Sequence, residues 1–324
     1  MRVSDWRNAA ADAMTGLYAE EHGRWLANLH WDASTSWEIV EGARQEGCLP
    51  GFVAEDESGR VAGWTFFVMR DGVLQIGAVV ARRAETVRAL IDAVLEAPEA
   101  SLARRYQAFV YPESPAVEVA LTRRRFDVDR YLYLERPVAP CPRAVDGGVR
   151  EWHERDLPDA VRLLARAYAG SPGARCFAPG GRTEEWSTYL GQLVRTPVCG
   201  RFVPGESFVL AGPRGIDACL VSTRLDHRTA HVAQVIVDPD RQRQGLASRL
   251  LAASAQAAAR GGAVRQTLLV AESNVAARAL YARLGFTARA AFLFADRARI
   301  TRRVGRPPAV RPVRERDVPL SRAG

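Results

Sequence analysis

The sequence is 324 residues long, of which 48% are hydrophobic and 25% are charged. Chains of this length are usually too long to fold around a single hydrophobic core, so we expect two domains of about 150 residues each. The composition is that of a globular protein, and no stretch approaches the roughly 20 apolar residues of a membrane span. We therefore expect a soluble protein that does not bind membranes.

The cysteines and histidines bear on metal binding and on the cellular compartment. The five cysteines are Cys48, Cys141, Cys176, Cys199 and Cys219. They form no C-x-x-C pair, and the five histidines never recur at the spacing of zinc ligands. We expect no bound metal. The N-terminus lacks the apolar core of a signal peptide, which favours a cytoplasmic protein.

The formal net charge of +8 is compatible with binding to nucleic acid or to a polyanionic small molecule. Arginines are dense only in the last part of the chain, as Arg302, Arg303, Arg306, Arg311, Arg314 and Arg316. Such a run usually belongs to a solvated end, so nucleic-acid binding is the less favoured interpretation.

The first half of the chain predicts alternating strands and helices. Periodicity predicts, in order, strands at 52–55, 61–69 and 73–80, a helix at 84–95, a strand at 106–111, a helix at 116–125 and a strand at 131–134. Residues 139–148 are rich in proline and glycine and predict a linker.

The second half repeats this order. It predicts a strand and helix at 149–169, strands at 207–210, 218–225 and 231–237, a helix at 242–260, a strand at 266–270, a helix at 274–284 and a strand at 290–294. We infer an internal duplication, an α/β (or α+β) fold with a mixed sheet in each copy. The predicted domains are 1–138 and 149–298, followed by a basic, disordered tail at 299–324.

The segment between the strand at 231–237 and its helix has the features of a phosphate-binding turn. It runs through Gln242, Arg243, Gln244, Gly245, Leu246, Ala247 and Ser248. Amides at a helix start are unpaired and the helix dipole is positive there, so a pyrophosphate can bind. Gly245 allows the backbone to approach it closely.

This segment resembles the signature of the GNAT superfamily of acyl-CoA-dependent N-acetyltransferases, which is Gln or Arg, two residues, Gly, one residue, then Gly or Ala. A second stretch is similar to the family's other coenzyme-binding segment, with Asn274, Tyr281 and the closing pair Gly285-Phe286 in the expected order. The resemblance implies two tandem GNAT-like domains, with acetyl-CoA as the cosubstrate of the second.

The resemblance also implies roles for individual residues. Strand residues Val235, Ile236 and Val237 would bind the pantetheine through the amides of the first and last, and Asn274 would hydrogen-bond it. Tyr281 would protonate the leaving thiolate. Alternatively, Tyr281 is a core aromatic residue and Asn274 is a helix N-cap, and neither alternative excludes the role in binding or catalysis.

The general base is less clearly indicated by the sequence. Counting back from Gly245, His231 occupies the position where related acetyltransferases carry a glutamate, and a histidine can accept a proton near neutral pH. The alternative is a solvated histidine just after a hairpin turn. Asp226, His227 and Glu272 are further candidates.

The first half departs from the family pattern. Residues 81–87 take the place of the phosphate-binding turn but contain no glycine, and Glu85 would face the phosphate. Thr122 stands at the position of the acid. We expect this copy to have lost coenzyme binding and to serve structure, dimerisation or substrate capture.

Two further segments can form a pocket. Trp25, His30, Trp31 and Trp37 would line a substrate pocket or a domain interface, or belong to the core. The long loop at 169–181, followed by Glu184, Glu185 and Trp186, lies where the family builds its acceptor pocket, or is an ordinary surface loop.

The expected function is transfer of an acetyl or other small acyl group from acetyl-CoA to a primary amine of a small molecule or protein, in the second domain. Acyl transfer to a hydroxyl, decarboxylation of an acyl thioester, and a non-catalytic CoA-sensing or partner-binding module are the alternatives. A homodimer is compatible with the sequence.

Overall fold

The computed structural model describes residues 1–139, 148–197, 199–213 and 215–299. Most of the predicted linker, including Cys141, and nearly all of the predicted tail lie outside the described residues. Within them, the predicted strands and helices are confirmed, with shifts at their ends.

The first half contains six strands and four helices among the described residues. In chain order they are β1 (Arg2–Asp5), α1 (Ala11–Leu29), α2 (Ser34–Gln45), β2 (Gly51–Glu55), β3 (Val61–Arg70), β4 (Val73–Ala81), α3 (Ala84–Glu96), β5 (Arg105–Val110), α4 (Ala116–Arg123) and β6 (Asp127–Pro137). Strand β1 and helices α1 and α2 were not predicted from the sequence. The last strand, β6, is longer than the predicted 131–134.

The second half adds an equivalent series. It consists of β7 (Val149–Glu151), α5 (Leu157–Ala167), α6 (Ala174–Phe177), α7 (Thr183–Arg195), β8 (Arg201–Phe202), β9 (Phe208–Gly212), β10 (Gly215–Arg224), β11 (Thr229–Val237), α8 (Leu246–Arg260), β12 (Arg265–Ala271), α9 (Val275–Arg283) and β13 (Thr287–Ala298). Helix α8 begins later than the predicted residue 242, because Arg243 and Gly245 have φ of 62° and 77°, which a right-handed helix cannot accommodate.

The strands of the described residues form one mixed sheet that runs through both halves. Its order is β1-β2-β3-β4-β5-β13-β6-β12-β11-β10-β9-β7, with β8 paired to β10. Strand β6 of the first half pairs antiparallel with β12 of the second, and β13 of the second pairs antiparallel with β5 of the first. The two halves have therefore exchanged their last strands.

Helices cover both faces of the sheet. In the second half, α8 packs over β9, β10 and β11 through a core that includes Leu250 and Leu251. Helices α5 and α7 cover the opposite face, where Trp186 is fully buried. The early tryptophans lie in a core shared by the two halves, because Trp31 packs against His231 with ring centroids 5.8 Å apart.

Polar contacts also join the halves. Arg105 Nε donates to Asp296 Oδ1 over 2.6 Å, and Gln107 Nε2 donates to the carbonyl oxygen of Arg175 over 2.8 Å. Burial by itself would raise the pKa of Asp296, but hydrogen bonds from Arg105 and Gln107 and nearby arginine charge outweigh it and hold that pKa below its usual value. The carboxylate is thus ionised within the interface between the halves.

The strand exchange predicts that neither half folds properly alone. Separately expressed fragments 1–139 and 148–299 would each expose an unpaired strand, so we expect insoluble or self-associated material. Coexpressed fragments should copurify as a one-to-one complex, which light scattering measures. A monomeric fragment 148–299 that unfolds cooperatively would contradict the account of the exchange.

Candidate functional site

The parallel strands β11 and β12 separate partway along their length. They pair from Thr229↔Arg265 to Val232↔Leu268, and β11 then continues to Val237. A β-bulge in β11 lies at the same point. Val232 pairs with Ser222 of β10 and Gln234 pairs with Val221, so Ala233 between them is the extra residue. Beyond the bulge, the edge of β11 that includes Val235, Ile236 and Val237 faces a gap rather than β12.

The predicted phosphate-binding turn lies where β11 ends. Gly245 is in the left-handed region and is the N-cap residue of α8. A Cβ built on Gly245 would meet no atom within 4 Å, so open space lies in front of the helix start. The first amides of α8 have no partners within the helix, and with the helix dipole they suit an anion such as a pyrophosphate.

The other residues of the turn divide between solvent and core. Gln242, Arg243 and Gln244 are exposed, and Leu246 is buried in the core beneath α8. Ala247 and Ser248 are half-buried in the first helical turn. The turn therefore presents exposed backbone and polar side chains on an anchored helix.

Tyr281 lies on α9 with 7% of its surface exposed. Its ring packs edge-on against Phe286 at 5.7 Å, in the core beneath α8. Burial raises its pKa above the usual value for a phenol, and the neighbouring Tyr168 hydroxyl adds to the shift. Tyr281 is thus a core residue, as the alternative interpretation held, whose hydroxyl stays protonated at neutral pH.

Asn274 caps helix α9. Its side-chain oxygen accepts a hydrogen bond from the Ala277 amide over 3.1 Å, and the residue is exposed to solvent. The helix-cap interpretation is therefore confirmed. The side-chain NH2 remains on an exposed residue at the same end of the sheet as the turn, where it can also donate to a ligand.

His231 lies in an environment that does not fit a general base. It is 3% exposed, Nδ1 lies 2.9 Å from the Thr267 hydroxyl, and the ring lies against Trp31 and Tyr133 of the first half. Burial lowers the pKa of the imidazole to about 3. Such a buried, weakly basic imidazole is poorly suited to accept a proton at neutral pH, and we assign it no catalytic role.

The further candidates for the base lie at different ends of the strands. Asp226 and His227 are in the hairpin between β10 and β11, at the end opposite the phosphate-binding turn. Glu272 follows β12 at the same end as the turn, and it is exposed. Of the three, only Glu272 lies near the gap.

The buried imidazole makes stability depend on pH. Below about pH 6.5 the unfolded chain binds a proton at His231 that the folded protein does not bind until about pH 3. Stability should therefore fall as the pH decreases through this window, by at most about 1.4 kcal/mol per pH unit from this group. His231→Gln should show a smaller decrease in melting temperature between pH 7 and pH 5. Identical pH profiles for the two proteins would contradict this burial.

A cluster of phenols beside the gap was missed by the sequence analysis. Gln234 Nε2 donates to the Tyr189 hydroxyl over 3.3 Å, and Gln234 Oε1 accepts from the Val235 amide over 3.1 Å. Burial raises the pKa of Tyr168 to about 12, although the neighbouring Gln234 side chain acts to lower it. The only signal in the sequence was the position of loop 169–181 between Tyr168 and Tyr189.

The corresponding region of the first half is built differently. Helix α3 begins at Ala84, almost directly after β4, and no residue from 81 to 87 has a positive φ. Strands β4 and β5 separate after Ile76↔Ala108. There the Arg24 guanidinium lies 4.0 Å from the centre of the Tyr111 ring and donates to its carbonyl oxygen. The chain's own side chains thus occupy the end of β5.

Two general properties concern the described residues as a whole. Among them, no group of three or more His, Cys, Asp or Glu residues could hold a metal ion. Their helices include none with the length and apolar character needed to cross a bilayer.

A protein-family model matches part of the second half. Residues 182–286 match the model of the acetyltransferase (GNAT) family. None of the curated proteins compared with the sequence matches it.

Several solved structures share the fold. A GCN5-related N-acetyltransferase from Sphaerobacter thermophilus is 15% identical, with 76% of this chain and 80% of that chain covered and a TM-score of 0.56. A tandem GNAT protein from the clavulanic acid biosynthesis pathway is 16% identical, with 77% and 82% covered and a TM-score of 0.54. The GCN5-related glucosamine N-acetyltransferase region of a fungal multi-domain β-N-acetylglucosaminidase is 14% identical, with 91% and 38% covered and a TM-score of 0.58.

These likenesses cover most of the chain and show a shared fold. The family match covers both segments predicted to bind the coenzyme, the phosphate-binding turn and the stretch from Asn274 to Phe286. Residues 182–286 are therefore a domain of the GNAT acetyltransferase family, a family that transfers acyl groups from acyl-CoA, within a tandem GNAT fold.

Proposed function

We propose that the second half transfers an acetyl or other small acyl group from its CoA thioester to a primary amine. The observation that carries the proposal is the gap between β11 and β12, which leads to the left-handed Gly245 and the start of α8. A pantetheine arm needs an open strand edge, and a pyrophosphate needs unpaired amides. This half provides both next to each other.

Different residues around the gap would bind different parts of the coenzyme. The amides at the start of α8 would hold the pyrophosphate, and the edge of β11 at Val235 and Val237 would pair with the pantetheine, the Val235 amide exchanging its hydrogen bond to Gln234 Oε1 for one to the ligand. Asn274 would donate a hydrogen bond from the opposite side of the gap. The first half, whose α3 starts without such a turn, would bind no coenzyme.

The chemistry requires few groups from the protein. The amine nitrogen forms a bond to the thioester carbonyl carbon, the carbon–sulfur bond breaks, and the sulfur takes a proton from the Tyr281 hydroxyl. Strand amides near Val235 would polarise the carbonyl oxygen. The amine's own proton passes to water, because His231 is buried. After CoA leaves, solvent supplies the proton that restores the Tyr281 hydroxyl.

The test is a product assay on the full-length protein. Acetyl-CoA is mixed with a panel of primary amines, thiol release is followed with a chromogenic reagent, and products are identified by mass spectrometry. An N-acetyl amine formed together with free CoA supports the proposal. Free CoA accompanied by an ester would favour transfer to a hydroxyl, and carbon dioxide from a malonyl thioester would favour decarboxylation. Tight acetyl-CoA binding without turnover of any probe would favour a CoA-sensing module.

A further inference from the structure

The phenols beside the gap come from both halves of the chain. We call Tyr131, Tyr168, Tyr189 and Gln234 the tyrosine cluster. Tyr168 follows α5, Tyr189 lies on α7 and Gln234 lies on β11, whereas Tyr131 belongs to the exchanged strand β6. Burial is the main cause of the raised pKa of Tyr131, and the Tyr168 phenol adds to it. The exchange therefore places a residue of the first half beside the gap of the second.

The first half also fixes the segment that covers this cluster. Cys176 on α6 packs against the buried core that contains Tyr131. The adjacent Arg175 is held through its carbonyl oxygen by Gln107, 2.8 Å away, and its guanidinium lies 3.2 Å from Asp296. Helix α6 is the central part of the loop at 169–181. Its position thus depends on contacts with β5, β6 and β13.

The cluster is polar but uncharged. Burial raises the pKa of Tyr168 and of Cys176 to about 12, and it raises the pKa of Tyr131 and Tyr189 above the usual value, so these groups stay neutral. The half-buried Cys199 thiol is also neutral, because burial raises its pKa to about 11.

Two carboxylates, Asp129 and Asp296, lie just outside the cluster. Their negative charges add to the effect of burial in raising the pKa of the Cys176 thiol. Asp296 is bound to Arg105 and Arg175, and Asp129 accepts a hydrogen bond from Ser273 over 3.1 Å. The cluster itself contains no carboxylate, so a cationic acceptor would lose water among its phenols without an adjacent counter-charge, which favours the neutral form.

We propose that the tyrosine cluster binds the acceptor as a small primary amine carried on an aromatic or apolar body and taken up uncharged, with Tyr131 determining specificity. The inference rests on the proposed function of the second half. Rings that bury apolar area and hydroxyls that hydrogen-bond an amine suit such a molecule. Selecting the neutral amine also removes the need for a charged base, which agrees with the buried position of His231.

Binding to the full-length protein tests this inference without requiring turnover. The protein is saturated with CoA, and 2-phenylethylamine or spermidine is titrated by calorimetry. We expect 2-phenylethylamine to bind at least tenfold more tightly than spermidine. If only the neutral form binds, its apparent affinity rises about tenfold per pH unit below the amine's own pKa.

Substitutions at Tyr131 separate specificity from structure. Tyr131→Phe keeps the ring and removes the hydroxyl, and should weaken 2-phenylethylamine binding about threefold to tenfold. Tyr131→Leu also removes the ring and should weaken it further. Tyr106→Phe is the matched control, because that buried hydroxyl donates to the Ala100 carbonyl oxygen within the first half. Affinity for CoA should be the same in all variants.

The outcomes distinguish this inference from the proposed function. Tighter binding of spermidine, no measurable binding of 2-phenylethylamine, or an unchanged affinity in Tyr131→Phe would overturn the inference alone. Should Tyr131→Leu fail to fold, Tyr131→Phe decides. Absence of CoA binding by the unaltered protein would overturn the proposed function, and the inference with it.

Discussion

Replacing Gly245 with glutamate should abolish acetyl-CoA binding. The new side chain would point into the open space before α8, where a Cβ meets no atom within 4 Å, and would place a carboxylate where the pyrophosphate is expected. The left-handed backbone at φ +77° adds a cost of roughly 1–2 kcal/mol for a residue other than glycine. Calorimetry should show affinity reduced by at least about 100-fold, through charge repulsion and loss of close approach.

Gly59→Glu is the matched control for this change. Gly59 has φ +80° and equally open surroundings, but it lies in the turn between β2 and β3 of the first half. It should incur the same backbone strain and a similar decrease in melting temperature, yet bind acetyl-CoA normally. Equal affinities for the two variants would show that the turn of residues 242–247 does not hold the coenzyme.

Replacing Tyr281 with phenylalanine should reduce turnover by about 100-fold or more, the usual contribution of a general acid. The ring stays packed against Phe286, so the fold and the KM for acetyl-CoA should change little. Steady-state kinetics with an amine acetylated in the product assay provide the measurement. Because the hydroxyl acts only as the carbon–sulfur bond breaks, the effect should appear in kcat.

Tyr106→Phe again serves as the control, since it removes a buried hydroxyl far from the gap. It should leave kcat unchanged. A Tyr281→Phe protein with the turnover of the unaltered protein would remove the catalytic role and leave Tyr281 as a core residue only.

Local patterns predicted the elements around the coenzyme site well. Periodicity predicted the strands and helices from β2 to β6 and those from β9 to β13, but not β1, α1, α2, α6, α7 or β8. The turn at Gly245 follows from a glycine placed between a strand and a helix. These features depend on neighbouring residues, so a single sequence is enough to reveal them.

The strand exchange and its consequences could not be predicted in this way. Nothing local to β6 or β13 specifies whether each pairs within its own half or across to the other. The position of His231 depends on that choice, because Trp31 and Tyr133 of the first half cover it. A histidine that looked exposed after a hairpin turn is thereby buried and neutral.

The same dependence explains why the tyrosine cluster was missed. Tyr131 lies 150 residues before Tyr281 in the sequence, and only the exchanged strand brings it to the gap of the second half. Tyr168 and Tyr189 flank a loop that was identified, but their convergence on Gln234 is a tertiary contact. Long-range pairing therefore decides which residues form the proposed acceptor site, whereas local sequence decides those of the proposed coenzyme site.

The stoichiometry of acetyl-CoA binding tests the central claim most directly. Calorimetry on the full-length protein should give one site per chain, because the second half combines an open strand edge with a phosphate-binding turn. In the first half β4 and β5 also separate, but α3 begins without such a turn. Two sites per chain would contradict the loss of coenzyme binding by the first half. No binding at all would contradict the assignment of acyl transfer to the second half.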